Sequence, residues 1–125
     1  MITGIGTDIV AIARFGTLYE RHGQRALAKL LSPRECAEFT GTRQPARFLA
    51  KRFAAKEALG KALGIGLATP ATLPNIGVGH DPLGRPVFEY AEPLAAHLAQ
   101  RGLVAHLSIS DEQDFAIAFV VLEQA

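Results

Sequence analysis

Glu57 and Lys61 lie four positions apart in a stretch of strong helix formers, and both side chains can do chemistry. The stretch Phe48–Leu63 predicts one continuous helix, with Pro45 suited to its first turn and Gly64 as a stop signal. Residues four apart share a helix face, so the carboxylate and the ammonium group project side by side. They could form a surface ion pair worth roughly a few tenths of a kcal/mol, or they could bind a hard cation and a phosphate oxygen. The helix pattern leaves both interpretations open.

A second carboxylate, Asp8, lies near the end of the first predicted strand, Ile2–Val10. Alternation along this strand places Asp8 on the same face as Gly4 and Gly6. Because glycine has no side chain, that face has room for a ligand or for another backbone to come close. Asp8 could equally end the strand or cap the helix that follows it.

Two further cations, Arg52 and Lys56, fall inside the apolar arc of the long helix rather than opposite it. Long charged side chains on an apolar face often reach water with their ends while their stems stay buried. The alternative is that they face the oxygens of a bound phosphate.

Three arginines, Arg14, Arg21 and Arg25, follow the first strand. Apolar residues recur there at helical spacing and predict a helix from Ala11 to about Arg21. Solvated charge is the usual explanation of such a basic stripe, and an acidic protein partner is the specific one.

Length and composition limit the class of protein. A chain of 125 residues fits one domain, residues 1–125, with one hydrophobic core. Thirteen basic against twelve acidic side chains give a net charge of +1, which argues against a general nucleic-acid binder. No apolar run approaches the ~18 residues of a membrane span. The single cysteine, Cys36, is expected to be a small buried side chain, and with no leader at the start of the chain we expect a cytoplasmic protein.

The other elements are predicted from cap and turn signals. Ser32–Glu35 has the form of a capping box and starts a short helix. Further helices are expected at Ala26–Leu31 and after Glu92-Pro93. Strands are expected at Asn75–His80, Pro86–Tyr90, Val104–Ser110 and Phe115–Leu122. The last strand is almost wholly apolar and should be central, and the element order predicts an α+β domain with helices packed on a mainly antiparallel sheet.

Two segments resemble the small bacterial holo-acyl-carrier-protein synthases of the 4'-phosphopantetheinyl transferase superfamily. The first segment is Gly4–Val10, and the second, Phe53–Lys61, follows the family pattern F-x-x-K-E-A-x-x-K. Gly84-Arg85-Pro86 and the strand around Ser108 also resemble family features. The resemblance therefore extends over essentially the whole chain.

The resemblance implies transfer of 4'-phosphopantetheine from coenzyme A to a serine of apo acyl carrier protein, in fatty acid biosynthesis, with release of 3',5'-ADP. It implies a Mg²⁺ cofactor held by Asp8 and Glu57, and Mg²⁺ does favour one or two carboxylates plus waters and substrate phosphates. Glu57, or a water that it orients, is the candidate base, and Lys61 is the candidate cation for the charge that develops during phosphoryl transfer. The coenzyme A contacts implied in this way are Arg52, Lys56, Lys61, Gly84, Arg85 and Pro86.

The resemblance also suggests the partners. Arg14, Arg21 and Arg25 match the basic helix with which the family binds its acidic carrier protein, and family members are commonly homotrimers with coenzyme A between subunits. One departure is Asp111, where many relatives have a histidine. An alternative function is a non-catalytic module that binds coenzyme A or the carrier protein on the same fold.

Overall fold

The computed structural model describes residues 1–125, which form five strands and five α-helices. In chain order the elements are β1 (Ile2–Ala11), α1 (Ile12–His22), α2 (Gln24–Leu30), α3 (Pro33–Phe39), α4 (Pro45–Leu63), a 3-10 turn (Leu73–Asn75), β2 (Ile76–His80), β3 (Pro86–Tyr90), α5 (Leu94–Gln100), β4 (Leu103–Asp111) and β5 (Phe115–Gln124). The predicted α+β architecture, with helices on antiparallel strands, is confirmed. No helix has both the length and the apolarity needed to cross a membrane.

The strands form two separate antiparallel sheets. One has three strands in the order β1-β5-β4, so the apolar β5 is central, as predicted. The other is the β2-β3 hairpin. In the larger sheet Asp8 is paired with Ala118 of β5, which fixes the position of its carboxylate along the strand.

Helix α4 packs directly on the glycine face of β1. A Cβ atom at Gly6 would lie 2.0 Å from the carbonyl oxygen of Ala58, and one at Gly4 would lie 2.1 Å from that of Ala62. Only glycine permits this approach, because neither backbone can move away without opening the interface. The sequence left open whether a ligand or another backbone lies in front of the glycine face of β1. In the structure, the backbone of α4 fills that space.

The local start signals mostly act as predicted. In the capping box of α3 the Ser32 hydroxyl accepts from the backbone N–H of Glu35, and Glu35 Oε1 accepts from the backbone N–H of Ser32 at 2.9 Å. Asp8 does not cap the next helix, because β1 continues to Ala11 and α1 begins at Ile12 without a side-chain cap. Its carboxylate is therefore available for other contacts.

The face of the larger sheet that points away from α4 is apolar and open. We call it the outer sheet face and define it by five side chains that are 42% to 62% exposed: Ile5, Ile9, Phe115, Ile117 and Phe119. The inward residues of the central strand, in contrast, are at most 2% exposed: Ala116, Ala118, Val120 and Leu122. Contiguous apolar surface of this kind usually marks a contact with another molecule.

Candidate active site

The packing of α4 on β1 brings Lys61 against Asp8, 53 residues away in the chain. The Lys61 ammonium group donates to Asp8 Oδ1 at 3.2 Å and to the carbonyl oxygen of Thr7 at 2.9 Å. The Asp8 side chain is only 16% exposed, whereas that of Lys61 is 53% exposed. The lysine thus links the strand to the helix and still faces solvent. The surface pair between Lys61 and Glu57 that the spacing allowed does not form, since Lys61 is bonded to β1.

Glu57 lies one turn before Lys61 and carries the second carboxylate of this cluster. Burial raises the pKa of the Glu57 carboxyl, and the negative charge of Asp8 raises it further, while the positive charges of Lys61 and Arg14 lower it. Because the charge of Asp8 contributes to the raised pKa of Glu57, the two carboxylates are held close together at an electrostatic cost, which a cation would remove. We call Asp8, Glu57 and Lys61 the carboxylate cluster.

The carboxylate cluster fits a Mg²⁺ ion. Asp8 Oδ2 is buried and has no hydrogen-bond partner, which is costly for a carboxylate oxygen unless a ligand completes its bonding. No group of three or more histidine, cysteine or acidic side chains forms a metal cage in the chain. An ion held by two carboxylates must take its other ligands from water and substrate, which is how Mg²⁺ is commonly bound beside phosphates. Asp8 and Glu57 would hold such an ion, which would supply positive charge to phosphate oxygens.

The sequence profile of the 4'-phosphopantetheinyl transferase superfamily matches residues 4–120. The chain belongs to this superfamily. Its relatives include the holo-acyl-carrier-protein synthase of Dechloromonas aromatica, which is 58% identical over 125 residues, with both chains fully covered.

Solved structures agree with this assignment. The holo-acyl-carrier-protein synthase of Neisseria meningitidis, for which a crystal structure is known, is 46% identical in sequence to this chain. The two structures have a TM-score of 0.95, and the match covers 99% of this chain and 100% of that one. The Bacillus anthracis synthase, in complex with coenzyme A (3',5'-ADP), is 32% identical, with a TM-score of 0.85 and coverage of 100% and 99%.

Lys56 of the transferase points into the protein and not towards a ligand. Its side chain is fully buried, and its ammonium group donates to Glu35 Oε1 at 2.6 Å and to the carbonyl oxygens of Leu30 at 2.7 Å and Leu73 at 3.1 Å. With three acceptors for its three N–H groups, it has none left for a phosphate. Desolvation lowers the pKa of Lys56, and the Glu35 carboxylate opposes that shift. Lys56 therefore has a structural role, which corrects the expected coenzyme A contact.

The Arg52 side chain is also largely buried and makes its contacts inside the protein. Its guanidinium carbon lies 3.7 Å from the centroid of the Phe48 ring, and its nitrogens lie 3.5 Å from Glu38 and 3.8 Å from Glu35. Only 9% of its side chain is exposed. Burial lowers its pKa and the two carboxylates oppose this. Its geometry indicates a packing role beside Lys56 in place of the expected phosphate contact.

The buried pair of Lys56 and Glu35 predicts a large loss of stability on substitution. We expect Lys56→Met to reduce the free energy of unfolding by about 3 to 5 kcal/mol, because it leaves Glu35 buried without its cation. Urea denaturation followed by circular dichroism measures this. The double variant Lys56→Met/Glu35→Gln should regain part of the loss, and Lys29→Met, at an exposed lysine, should change stability by at most ~0.5 kcal/mol. Equal effects at Lys56 and Lys29 would contradict the assignment.

The Gly84-Arg85-Pro86 segment lies at the β2-β3 turn. Asp81 holds this turn by accepting from the backbone N–H groups of Leu83 and Arg85 and from Arg85 Nε at 2.7 Å. These hydrogen bonds, with the backbone of Arg85 first, lower the pKa of Asp81. No hydrogen bond or ion pair joins the turn to the carboxylate cluster. A coenzyme A contact made there stays a prediction.

A cationic group that the sequence analysis missed lies at the start of α4. Arg47 donates to Asp111 Oδ2 at 2.6 Å and to the carbonyl oxygen of Glu112 at 2.7 Å, and Lys51 Nζ lies 3.7 Å from Asp111. These contacts attach the β4-β5 turn to α4 and give Asp111 a structural partner. The detectable signal was the spacing of Arg43, Arg47 and Lys51 at four-residue intervals, together with the acidic turn Asp111–Asp114.

The three arginines expected to bind the carrier protein lie in different surroundings. The Arg14 guanidinium carbon is 5.2 Å from the ring centroids of both Phe15 and Phe53. Arg25 lines a surface cavity of about 220 Å³ between α1 and α2, which also includes Leu18, His22 and Lys29. Arg21 is exposed in the last turn of α1. All three arginines are exposed and form a basic surface, but only Arg14 extends towards the carboxylate cluster.

Proposed function

We propose that this protein transfers 4'-phosphopantetheine from coenzyme A to a serine of an apo acyl carrier protein, with Mg²⁺ as cofactor, and so serves fatty acid biosynthesis. The observation that carries the proposal is the pairing of two neighbouring carboxylates, Asp8 and Glu57, with one buried oxygen lacking a partner and with Lys61 beside them. Membership in the superfamily and the names of the relatives support the reaction. The single cysteine agrees with a reducing, cytoplasmic setting.

The chemistry follows from the charges of the cluster. The serine oxygen forms a bond to the β-phosphorus of coenzyme A, and the bond from that phosphorus to the bridging oxygen breaks, so that the oxygen leaves with 3',5'-ADP. Negative charge develops on the phosphoryl and leaving oxygens, and fixed cations stabilise it. Lys61 supplies one such cation at the edge of the cluster, and Glu57 or a water that it orients accepts the serine proton. Asp8 holds Lys61 in place.

The substrate-binding surfaces are proposed from position. The exposed turn with Gly84, Arg85 and Pro86 offers backbone and guanidinium groups to the nucleotide part of coenzyme A, while Arg21 and Arg25 face solvent for an acidic carrier protein. Arg52 and Lys56 are left out of the proposed coenzyme A site, because their groups are bonded inside the protein.

One assay separates the transferase from a non-catalytic binding module. The protein is incubated with coenzyme A, Mg²⁺ and an apo acyl carrier protein, and the carrier is weighed by mass spectrometry. We expect the carrier to gain the mass of one 4'-phosphopantetheine group, and 3',5'-ADP to appear in equal amount. Binding of either partner without a mass gain would favour the module.

We also propose that the active form is a homotrimer that buries the outer sheet face. Three copies related by a closed rotation would each cover the same apolar residues of β1 and β5, which leaves no unsatisfied surface. The outer sheet face is centred on β5, the strand that contains Phe119. Its solvent-exposed apolar side chains support this assembly.

Assembly can be tested by placing a charge in the middle of this patch. We expect Phe119→Glu to shift the protein from trimer to monomer in multi-angle light scattering, because a carboxylate cannot be buried there without a partner. Val87→Glu is the matched control at an exposed apolar residue outside the patch, and it should keep the native mass. A trimeric Phe119→Glu variant would exclude the outer sheet face as the interface.

A further inference from the structure

Arg14 is held above two aromatic rings that come from different helices. Its guanidinium carbon lies 5.2 Å from the centroids of Phe15 in α1 and Phe53 in α4, and the two rings lie 5.1 Å apart. An exposed arginine is usually mobile, but attraction to the ring faces restricts this one. Phe53 is four residues before Glu57, so both lie on the same face of α4. The guanidinium is therefore held on the side of α4 that carries the catalytic carboxylate.

Arg14 acts electrostatically on the carboxylate cluster while keeping its own donors free. Its guanidinium lies over the ring of Phe53, one helical turn before Glu57, so its positive charge lies on the side of α4 that carries that carboxylate. None of the ion pairs in the chain uses Arg14. Neither Arg21 nor Arg25 rests on an aromatic ring. Arg14 thus differs from the two arginines with which it shares the basic stripe.

We infer that Arg14 is a catalytic residue that binds the phosphoryl group during its transfer, and that its position on α1 places this cation where the carrier protein delivers its serine. The inference rests on the proposed function. A guanidinium presents two parallel N–H donors that match two phosphoryl oxygens, which a lysine cannot do. Because the rings already orient the group, little ordering remains when the phosphoryl arrives.

The role of Arg14 can be stated as a charge balance. As the serine oxygen bonds to phosphorus and the bridging oxygen departs with 3',5'-ADP, the serine proton passes to the base, and negative charge spreads over the phosphoryl oxygens. Lys61 supplies a single ammonium charge from α4. Arg14 adds a second fixed cation from α1. This cation stabilises the transition state more than it stabilises either bound substrate.

Steady-state kinetics of Arg14→Ala and Arg21→Ala distinguish catalysis from docking. For Arg14→Ala we expect kcat to fall on the order of 10- to 100-fold, as for other single donors to a developing charge, with KM for the carrier changed less than kcat. For Arg21→Ala we expect a higher KM for the carrier and a kcat within about twofold of the original, since a rim charge acts mainly on encounter. Arg14→Lys should recover only part of kcat, because it keeps the charge and loses the paired donors.

Chemical rescue tests the catalytic role directly, because added guanidinium would not restore the rate if Arg14 had only a structural role. Guanidinium chloride at roughly 20 mM should raise kcat of Arg14→Ala, with sodium chloride of equal ionic strength as the control, and should leave Arg21→Ala unchanged. An Arg14→Ala variant that differs from the original only in carrier KM, or that is matched by Arg21→Ala in both parameters, would overturn the inference. A failure of the proposed function is recognised separately, because the unmodified protein would then transfer no group at all.

Discussion

Replacing Glu57 by glutamine is expected to lower kcat on the order of 10³-fold, the largest effect on activity predicted for this protein. Glutamine keeps the shape of the side chain and removes the charge that would hold Mg²⁺ beside Asp8. The measurement is the rate of mass gain of the carrier protein at saturating coenzyme A. Glu92→Gln, at an exposed carboxylate next to α5, is the matched control and should keep full activity.

Thermal unfolding gives the same prediction a second readout. The folded-state pKa of Glu57 lies above its usual value, so its ionised form destabilises the folded protein at higher pH. This penalty shrinks as the pH falls below the raised pKa and is gone below the usual pKa. Glu57→Gln should therefore be at least as stable as the original without metal. We also expect Mg²⁺ to raise the Tm of the original and to leave the Tm of the variant unchanged. A variant that keeps most of its rate and its response to Mg²⁺ would reject the metal assignment.

Replacing Gly6 by alanine is expected to have the largest effect on folding. The new Cβ would lie 2.0 Å from the Ala58 carbonyl oxygen and 2.8 Å from the Ala62 nitrogen, both backbone atoms of α4. Helix and strand must separate, so we expect a loss of at least about 3 kcal/mol, at or beyond the upper end of usual overpacking. Urea denaturation measures the loss as a lower midpoint.

The control for this prediction is Gly16→Ala in α1. The nearest atom to a Cβ there is the Ala46 side chain at 3.4 Å, an ordinary contact. Alanine is the better helix former by about 1 kcal/mol, so this variant should be neutral or slightly stabilised. If Gly6→Ala unfolded at the same urea concentration as Gly16→Ala, the close packing of α4 on β1 would be wrong.

The sequence predicted the elements and singled out Asp8, Glu57 and Lys61 separately, for identifiable reasons. Regular alternation in β1, the capping box at Ser32 and the strong helix formers of α4 are local signals, and each produced the expected element. Asp8 was singled out because it shares a strand face with two glycines, and Glu57 and Lys61 because they lie four residues apart on one helix face. Asp8 and Glu57 were joined as one site only through the family resemblance. The structure brings them together by packing α4 on the strand glycines.

The roles of the buried cations could not be predicted, because they depend on partners far away in the chain. Lys56 is bonded to Glu35 and to carbonyl oxygens of Leu30 and Leu73, which no local pattern connects with it. A lysine on an apolar helix face looks the same in sequence whether it meets a phosphate or a buried carboxylate. The special position of Arg14 was hidden for the same reason, since the ring of Phe53 lies on another helix.

The burial of α4 on nearly all sides bears on how this enzyme can evolve. Eleven of its residues are buried: Leu49, Ala50, Arg52, Ala54, Ala55, Lys56, Ala58, Leu59, Gly60, Ala62 and Leu63. Most mutations in this helix would therefore be removed by selection before they could alter substrate choice. We therefore propose that adaptation to a new carrier protein arises in α1 and α2, where Arg21 and Arg25 are exposed and can vary without displacing the carboxylates.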